Sequence, residues 1–324
     1  PGVHVPLQLV ITCMSVRMLL LAVRLLLLEQ KVVFVSSSVA LLTAVCEAFS
    51  QLLLFPLSWA HCYNPLLPSP DYLGLPPPYL FGSLRPVLEG GGVCSEGLWE
   101  EQEERDFTVF DLDAGEVEEA PECATQLSPL PEAAESSLRF GLTELRAWLS
   151  AVEDLGTSNL ATPGARPAAA PPWWPPKPGG KVLDAAFNHC VQSLFLSFTA
   201  ELLGEVQDFL GEPCAEVTPI SVSSSFQEEN FLASREEKDR PFYRAFLQTY
   251  AFLSHLQVLH LYGHGLTPFE EALRTVEAAA ASTAEATATP GCGSPAGRPR
   301  ALSSEIFDSG AEFAVSEAVD IAYA

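Results

Sequence analysis

Three groups of side chains in this sequence carry the types that chemistry needs. His260 and His264 stand four residues apart, with His255 before them and Glu270 and Glu271 after, so they would share a helix face as metal ligands do. Gly263 and Gly265 break the helix that such a site requires, which favours imidazoles at a helix C-terminus, where the dipole suits cations. His61 sits beside Cys62, with Cys46 upstream, but no third group orients a thiol dyad. Asp111 and Asp113 alternate along a run that reads as a strand, so they face one side. They would hold a cation or cap a turn, and capping is the favoured reading. Gly179-Gly180-Lys181 follows prolines and precedes Val182, which removes the phosphate-cradling loop. No G-x-S-x-G elbow occurs. The 8 cysteines show neither a C-x-x-C pair nor a zinc spacing. No cofactor, metal or covalent catalysis is expected.

The elements that must position these residues are legible around Leu25 to Gly82. Glu29-Gln30-Lys31 is a polar break, and Val32 to Val35 is a β-branched and aromatic run that predicts a strand. Ser36-Ser37-Ser38 then offers hydroxyls to the orphan amides of a first helical turn. Leu42, Val45, Phe49, Leu52 and Leu53 fall at helical steps, and Pro56 stops that helix. Beyond it, Trp59 to Pro68 reads as an extended segment, Asp71 to Leu75 as a brief turn or helix, and Pro76 to Pro78 as extended chain leading into Tyr79-Leu80-Phe81. Gly82 is free to turn. Val5 to Leu28 is strongly apolar, but Arg17 and Arg24 interrupt it, which predicts a buried helix feeding the strand instead of a membrane span.

Composition narrows the function classes. The chain has 324 residues, 48% hydrophobic, with 41 acids against 17 bases and a formal charge of -24. Such a surface repels phosphate backbones and anionic head groups, so nucleic-acid binding is excluded as a general role, whereas a basic partner patch would be attracted. Free cysteines on apolar faces and the lack of an Asn-x-Ser/Thr sequon fit a reducing, cytoplasmic setting. The chain starts at Pro1 without a methionine and is read as part of something longer.

The order E-x-K-V-V-F-V-S-S, helix, F-P-x-x-W-x-H-x-Y-x-P-L-L-P, then P-x-P-Y-L-x-G resembles the central module of a DENN domain, closely from Leu20 to Gly82. Phe107 to Asp113, ending in Asp-Leu-Asp, is similar to that module's next strand. Val191 to Leu210, then Phe231-Leu232, Arg240-Pro241-Phe242 and Phe246-Leu247-x-Thr249-x-x-Phe252, resemble the family's downstream helical module. The sequence departs from the family at Ala60, where a glutamine is general, and at Asn64, where a branched aliphatic is general. The family's upstream lobe has no counterpart. The resemblance implies a guanine-nucleotide exchange factor for a Rab-type small GTPase, working in vesicle traffic without covalent chemistry. A degenerate scaffold that binds without exchange is the alternative. It implies a cytoplasmic protein recruited to organelle or vesicle membranes through its partner. Trp59, His61, Pro65, Pro76, Pro78, Tyr79, Gly82, Asp111 and Asp113 are the residues expected to define the module or its binding surface.

The expected architecture is an α/β module, an open sheet flanked by helices, followed by an all-α module. The α/β module covers 1–155, with an acidic loop insertion at 83–106, and a helix from Leu138 to Val152 closes the module. A Pro-rich linker follows at 156–180; its Pro-x-x-x-Pro spacing could attract an aromatic-grooved recognition module, but a plain linker is the favoured reading. The helical module covers 181–275, with one helix carrying Phe187 to Phe209 and another face from Phe242 through Tyr250 to Leu256. Residues 276–324 form an alanine-rich tail, with a weak terminal helix over 311–324.

Overall fold

The structure, a computed structural model, describes residues 5–88, 106–120, 127–157, 183–211, 225–262, 269–276 and 278. Most of the acidic loop, the Pro-rich linker, the serine-rich connection after Glu212, His264 and the alanine-rich tail lie outside the described residues.

Strand β1, Val32–Ser36, is buried along its whole length. A strand covered on both faces needs successive apolar side chains, not alternating ones, and Val32-Val33-Phe34-Val35 supplies them. β2 is Cys62–Asn64, β3 Tyr79–Leu84, β4 Thr108–Asp111 and β5 Glu116–Glu118. The sheet order is β2-β3-β1-β4-β5, so β1 is central. It pairs in parallel with β3, Val32 opposite Leu80, and with β4, Val32 opposite Thr108. β2 adds in parallel outside β3, and β5 closes the far side antiparallel to β4. The open sheet that the sequence predicts is therefore present, with mixed strand directions.

Side chains leave the sheet in two directions. Val32, Phe34, Leu80 and Phe110 enter the main core, where the Phe34 ring stacks on Phe49 at 5.6 Å and leans on Phe110 at 5.2 Å. Val33, Val35, Tyr79, Phe81, Phe107 and Val109 form a second cluster, joined by Leu67 and Leu73 from the chain between β2 and β3.

Helices cover the first face. The apolar N-terminal stretch forms two helices, not the one expected: α1, Leu7–Cys13, and α2, Val16–Leu27, meet at 112°. Ser15 makes the break by capping α2, accepting from the Met18 amide at 3.2 Å. Both helices are core elements, and among the described residues no single helix is long and apolar enough to cross a membrane. α3, Val39–Glu47, starts at Ser38, whose hydroxyl accepts from the Leu41 amide, and it widens into a π-helical turn at Ala48–Leu52 before Pro56. α4, Arg85–Leu88, follows β3 directly.

The later chain is mostly helical, as expected. α5, Glu132–Thr157, is longer than the predicted helix, and α6 is Leu183–Leu203. α6 does not reach Phe209: Gly204 ends it, Glu205 takes a left-handed φ of 65°, and Phe209 lies in a separate 3-10 turn. α7, Glu228–Ser234, α8, Arg240–Phe246, α9, Tyr250–Tyr262, and a helical segment over 269–276 complete the block. Pro241 sits in the first turn of α8, where its missing amide is harmless. The single apolar face predicted from Phe242 to Leu256 is divided between α8 and α9. Thr249 starts α9, its hydroxyl donating to Phe246 O at 2.7 Å and accepting from the Phe252 amide at 3.3 Å. Tyr250 is exposed as a result.

One core runs through both blocks, from Val5 to Leu259. Asn188 on α6 accepts from the Leu7 amide at 3.0 Å and donates to Val5 O at 3.1 Å. Arg146 on α5 donates to Ile11 O and Met14 O. Gly141 lets α5 lie close on α6, since a Cβ there would strike Leu194, with its Cγ at 3.1 Å.

Candidate functional site

In an open parallel sheet, binding surfaces form beyond the carboxyl ends of the strands, where loops from neighbouring strands converge. Here Ser36 ends β1, Arg85 follows β3 and Asp111 ends β4. The Asp111 carboxylate takes Arg85 through both oxygens at 2.7 Å, together with the amides of Asp113 at 3.0 Å and Ala114 at 2.9 Å. Those amides turn the chain, so β4 stops at Asp111 and Asp113 lies in the turn. The two carboxylates therefore do not share a strand face, yet they converge on Arg85. Asp113 accepts from the Ser36 hydroxyl at 2.7 Å and the Ser37 amide at 2.7 Å, and it also meets Arg85 at 3.5 Å.

Burial works against ionising both carboxylates and is outweighed. Hydrogen bonds from Arg85 and the turn amides hold Asp111 below the usual carboxylate range, and the Ser36 hydroxyl and Ser37 amide do the same for Asp113. With their lone pairs taken by a guanidinium, amides and a hydroxyl, these groups cap turns and brace the rim. Ser37, Ser38 and Val39 stand exposed beside them, Val39 at 46%.

Trp59 and His61 lie at the opposite edge, near the amino ends of the strands. The whole of β1, at about 3.3 Å per residue, separates them from the aspartates. His61 Nε2 is 2.9 Å from Glu29 Oε1, and the same oxygen accepts from the Ala251 amide at 2.9 Å, at the start of α9. The Trp59 ring stands edge-on to His61 at 5.3 Å, and His61 stands edge-on to Tyr250 at 5.8 Å. Glu29, with a φ of 51°, thus fastens the sheet edge to the helical block, its charge facing the positive end of α9.

Pro65 and Gly82 meet. Gly82 does not turn: it lies within β3, and its lack of a side chain makes room for Pro65 O, with Pro65 C at 2.8 Å from where a Cβ would be. Gly82 O accepts from the Leu67 amide at 2.7 Å, which extends the pairing past β2. Tyr79 is fully buried, stacked on Phe81 at 4.3 Å, with its hydroxyl donating to Leu73 O. Pro76 is exposed and Pro78 half-buried. Between β2 and β3 the chain buries Leu67, half-buries Leu73 and exposes Leu66, Tyr72 and Leu75. The expected residues therefore fall into three places: the carboxyl rim, the amino-edge clasp and the β2–β3 crossover.

Arg85 and Glu29 are the bracing side chains that residue patterns missed. Arg85 had one signal, being the only Lys or Arg between Lys31 and Arg105. His255 is buried, and burial pushes its pKa down to about 4, which keeps it neutral. His260 is buried as well, its Nε2 2.8 Å from the Ser225 hydroxyl. Among the described residues no group of three or more His, Cys, Asp or Glu could hold a metal ion. Phe231, Phe242, Phe246 and Phe252 are core residues, linked by ring contacts that include Phe226 and Tyr243.

A braced sheet rim, an exposed apolar crossover and a helical block fastened behind them make up this part of the molecule. Residues 1–115 match the family model of the DENN (AEX-3) domain. The DENN domain and WD repeat-containing protein SCD1 of Arabidopsis thaliana is 24% identical over 264 residues, covering 79% of this chain and 19% of that protein. DENN domain-containing protein 2B of Mus musculus and that of Homo sapiens are each 39% identical over 87 residues, covering 26% of this chain and 8% of theirs. Over residues 1–115 the chain is thus similar to the DENN domain. It spans no more than about a fifth of the length of these relatives.

Proposed function

We propose that this chain binds a Rab-type small GTPase and promotes release of its GDP. The observation that carries the reading is the DENN match, because DENN domain proteins generally act as Rab exchange factors. Exchange of this kind needs no bond chemistry. A surface that holds the nucleotide-free GTPase more tightly than the GDP-bound form weakens nucleotide binding by the same factor. The rim at Ser37, Ser38 and Val39 and the crossover at Leu66, Tyr72 and Leu75 are the proposed contacts, with Asp111, Asp113 and Gly82 holding them in place. The net charge of -24 suits a partner with a basic patch. On this reading the protein works in the cytoplasm and reaches vesicle or organelle membranes through its GTPase.

Release of a fluorescent GDP from a panel of Rab proteins, with and without the chain, tests this. Acceleration on at least one Rab is expected, lost in Val39→Glu and Tyr72→Ala. A Rab that binds without releasing GDP faster would favour a scaffold, a reading to which the departures at Ala60 and Asn64 lend some weight. If no Rab binds, the reading fails.

A further inference from the structure

The crossover from β2 to β3 carries prolines at 65, 68, 70, 76, 77 and 78. Proline donates no amide and holds the residue before it extended, so a hydroxyl set between two of them is presented from extended chain. Ser69 stands between Pro68 and Pro70, with φ −150° and ψ 146°. Its hydroxyl donates to Asp71 Oδ2 at 2.8 Å and accepts from the Asp71 amide at 3.3 Å, so both bonds stay within the crossover. Other hydroxyls are committed elsewhere: Ser36 bonds Asp113, Ser38 caps α3, and Thr43, Thr143 and Ser197 lie on helices, turned to a carbonyl four residues back. Among the described residues, Ser69 and Ser128 are the hydroxyl residues followed directly by proline. Ser128 leads into α5 beside the buried Leu130, whereas Ser69 adjoins the exposed Leu66, Tyr72 and Leu75. Pro68 and Asp71 are exposed, and Ser69 is half-buried.

A phosphate on Ser69 would add about 1.5 to 2 negative charges at neutral pH. It would also remove the proton that Asp71 accepts, leaving two like-charged acceptors across a 2.8 Å contact. The Asp71 amide offers one hydrogen bond in return, at the start of a turn of only 5 residues, Pro70–Gly74. No Lys or Arg stands between Lys31 and Arg85 in the sequence; Lys31 is tied to Asp106 at 2.6 Å and Arg85 to Asp111 at 2.7 Å. Without a cation in this stretch to gather the phosphate, repulsion opens the turn instead of ordering it. That turn carries Tyr72.

We propose that Ser69 is the acceptor for a proline-directed protein kinase and that its phosphate opens the turn at Pro70–Gly74, which releases Tyr72 and Leu75 from their fixed positions. The Ser69 oxygen attacks the γ-phosphorus of ATP, the bond from that phosphorus to the bridging oxygen breaks, ADP leaves with the electron pair, and the hydroxyl proton passes to the kinase's base. The consequence for a GTPase, weaker binding at the crossover, rests on the function proposed above.

The test treats the intact chain with a cyclin-dependent kinase and magnesium ATP, and maps phosphate by mass spectrometry. Ser69 is expected to be modified in the parent and in a peptide of residues 64–77, and to be left unmodified in Pro70→Ala. Chymotrypsin should then cut after Tyr72 about tenfold faster in the phosphorylated parent, since cleavage follows the population of the opened form. Ser69→Ala, treated in the same way, controls for phosphate at other Ser-Pro and Thr-Pro pairs and should be cut at the untreated rate. A Rab that binds the untreated chain should bind the phosphorylated parent about tenfold more weakly, within the usual range of coupling between sites, and Ser69→Ala unchanged. Modification of the peptide but not of the folded chain, of neither, or of Ser69 without faster cutting overturns the inference. Unchanged binding of such a Rab overturns its regulatory part. If no Rab binds even the untreated chain, the proposed function fails instead, and mapping and cutting still decide the site.

Discussion

A methyl group on Gly82 would have to enter the space held by the Pro65 carbonyl, and both atoms belong to backbone fixed by sheet pairing. Gly82→Ala should therefore cost about 1–3 kcal/mol in urea unfolding, the usual scale of overpacking. Gly74→Ala, with nothing within 4 Å of the new Cβ, should change stability by no more than about 0.5 kcal/mol. Sequence showed a glycine ending an apolar run but not which neighbour it was making room for, because Pro65 reaches it only through the fold. His255 gives a second residue-scale outcome. Its folded pKa of about 4 lies below the ordinary 6.5, so between those values the unfolded chain holds a proton that the folded chain lacks. Stability should be flat above pH 6.5 and fall as pH drops toward 4, by roughly 3 kcal/mol in all. His189, shifted in the same direction, adds to the slope. The lowered carboxyls of Asp111 and Asp113 contribute only at more acid pH, below their ordinary 3.8, where their stabilisation is lost on protonation. Denaturation series from pH 8 to 4 should show the slope in the parent and a shallower one in His255→Leu.

Among the elements, α3 depends on a short relay. Asp113 accepts from Ser36, the Ser36 hydroxyl accepts from the Ser38 amide at 3.0 Å, and Ser38 caps the helix. Ser38→Ala should cost about 1 kcal/mol, the usual value of an N-cap. Asp113→Ala should cost a similar amount, about 1–2 kcal/mol, by leaving the Ser36 hydroxyl and Ser37 amide unpaired. Because they share Ser36, the double variant should deviate from additivity by about 0.5 kcal/mol or more in a mutant cycle. The serine run before α3 was legible as a cap because capping is local. Its support was not, since Asp113 lies across β1 and Arg85 beyond β3. The same distinction separates the strand at Val32, announced by consecutive β-branched residues, from the split of the N-terminal helix at Ser15. It also separates Pro241, correctly placed in a first turn by its own chemistry, from the end of α6 at Gly204, which periodicity carried past.

For the whole molecule, the shared core means that the α/β and helical blocks should behave as one folding unit. Asn188 and Glu29 each bond across them, and Leu142 and Leu194 pack within the same cluster. If a protease site is introduced within 158–182 and cut, the two pieces should stay together in gel filtration and melt in a single calorimetric transition. Separation, or two transitions, would show independent domains. Proline and alanine composition marked that stretch as a connection, but composition carries no information on whether the elements it connects share an interior. The central position of β1 has a further consequence, for synthesis in the cell. Val32 to Ser36 leaves the ribosome before its partners: β3 begins at Tyr79 and β4 at Thr108, and α6, which covers α1, starts at Leu183. At about 5–20 residues per second, the most apolar part of the chain waits many seconds for the surfaces that bury it. Nascent chains should therefore gain folded yield from chaperones that hold exposed apolar segments, as measured by synthesis in a cell-free system with and without them.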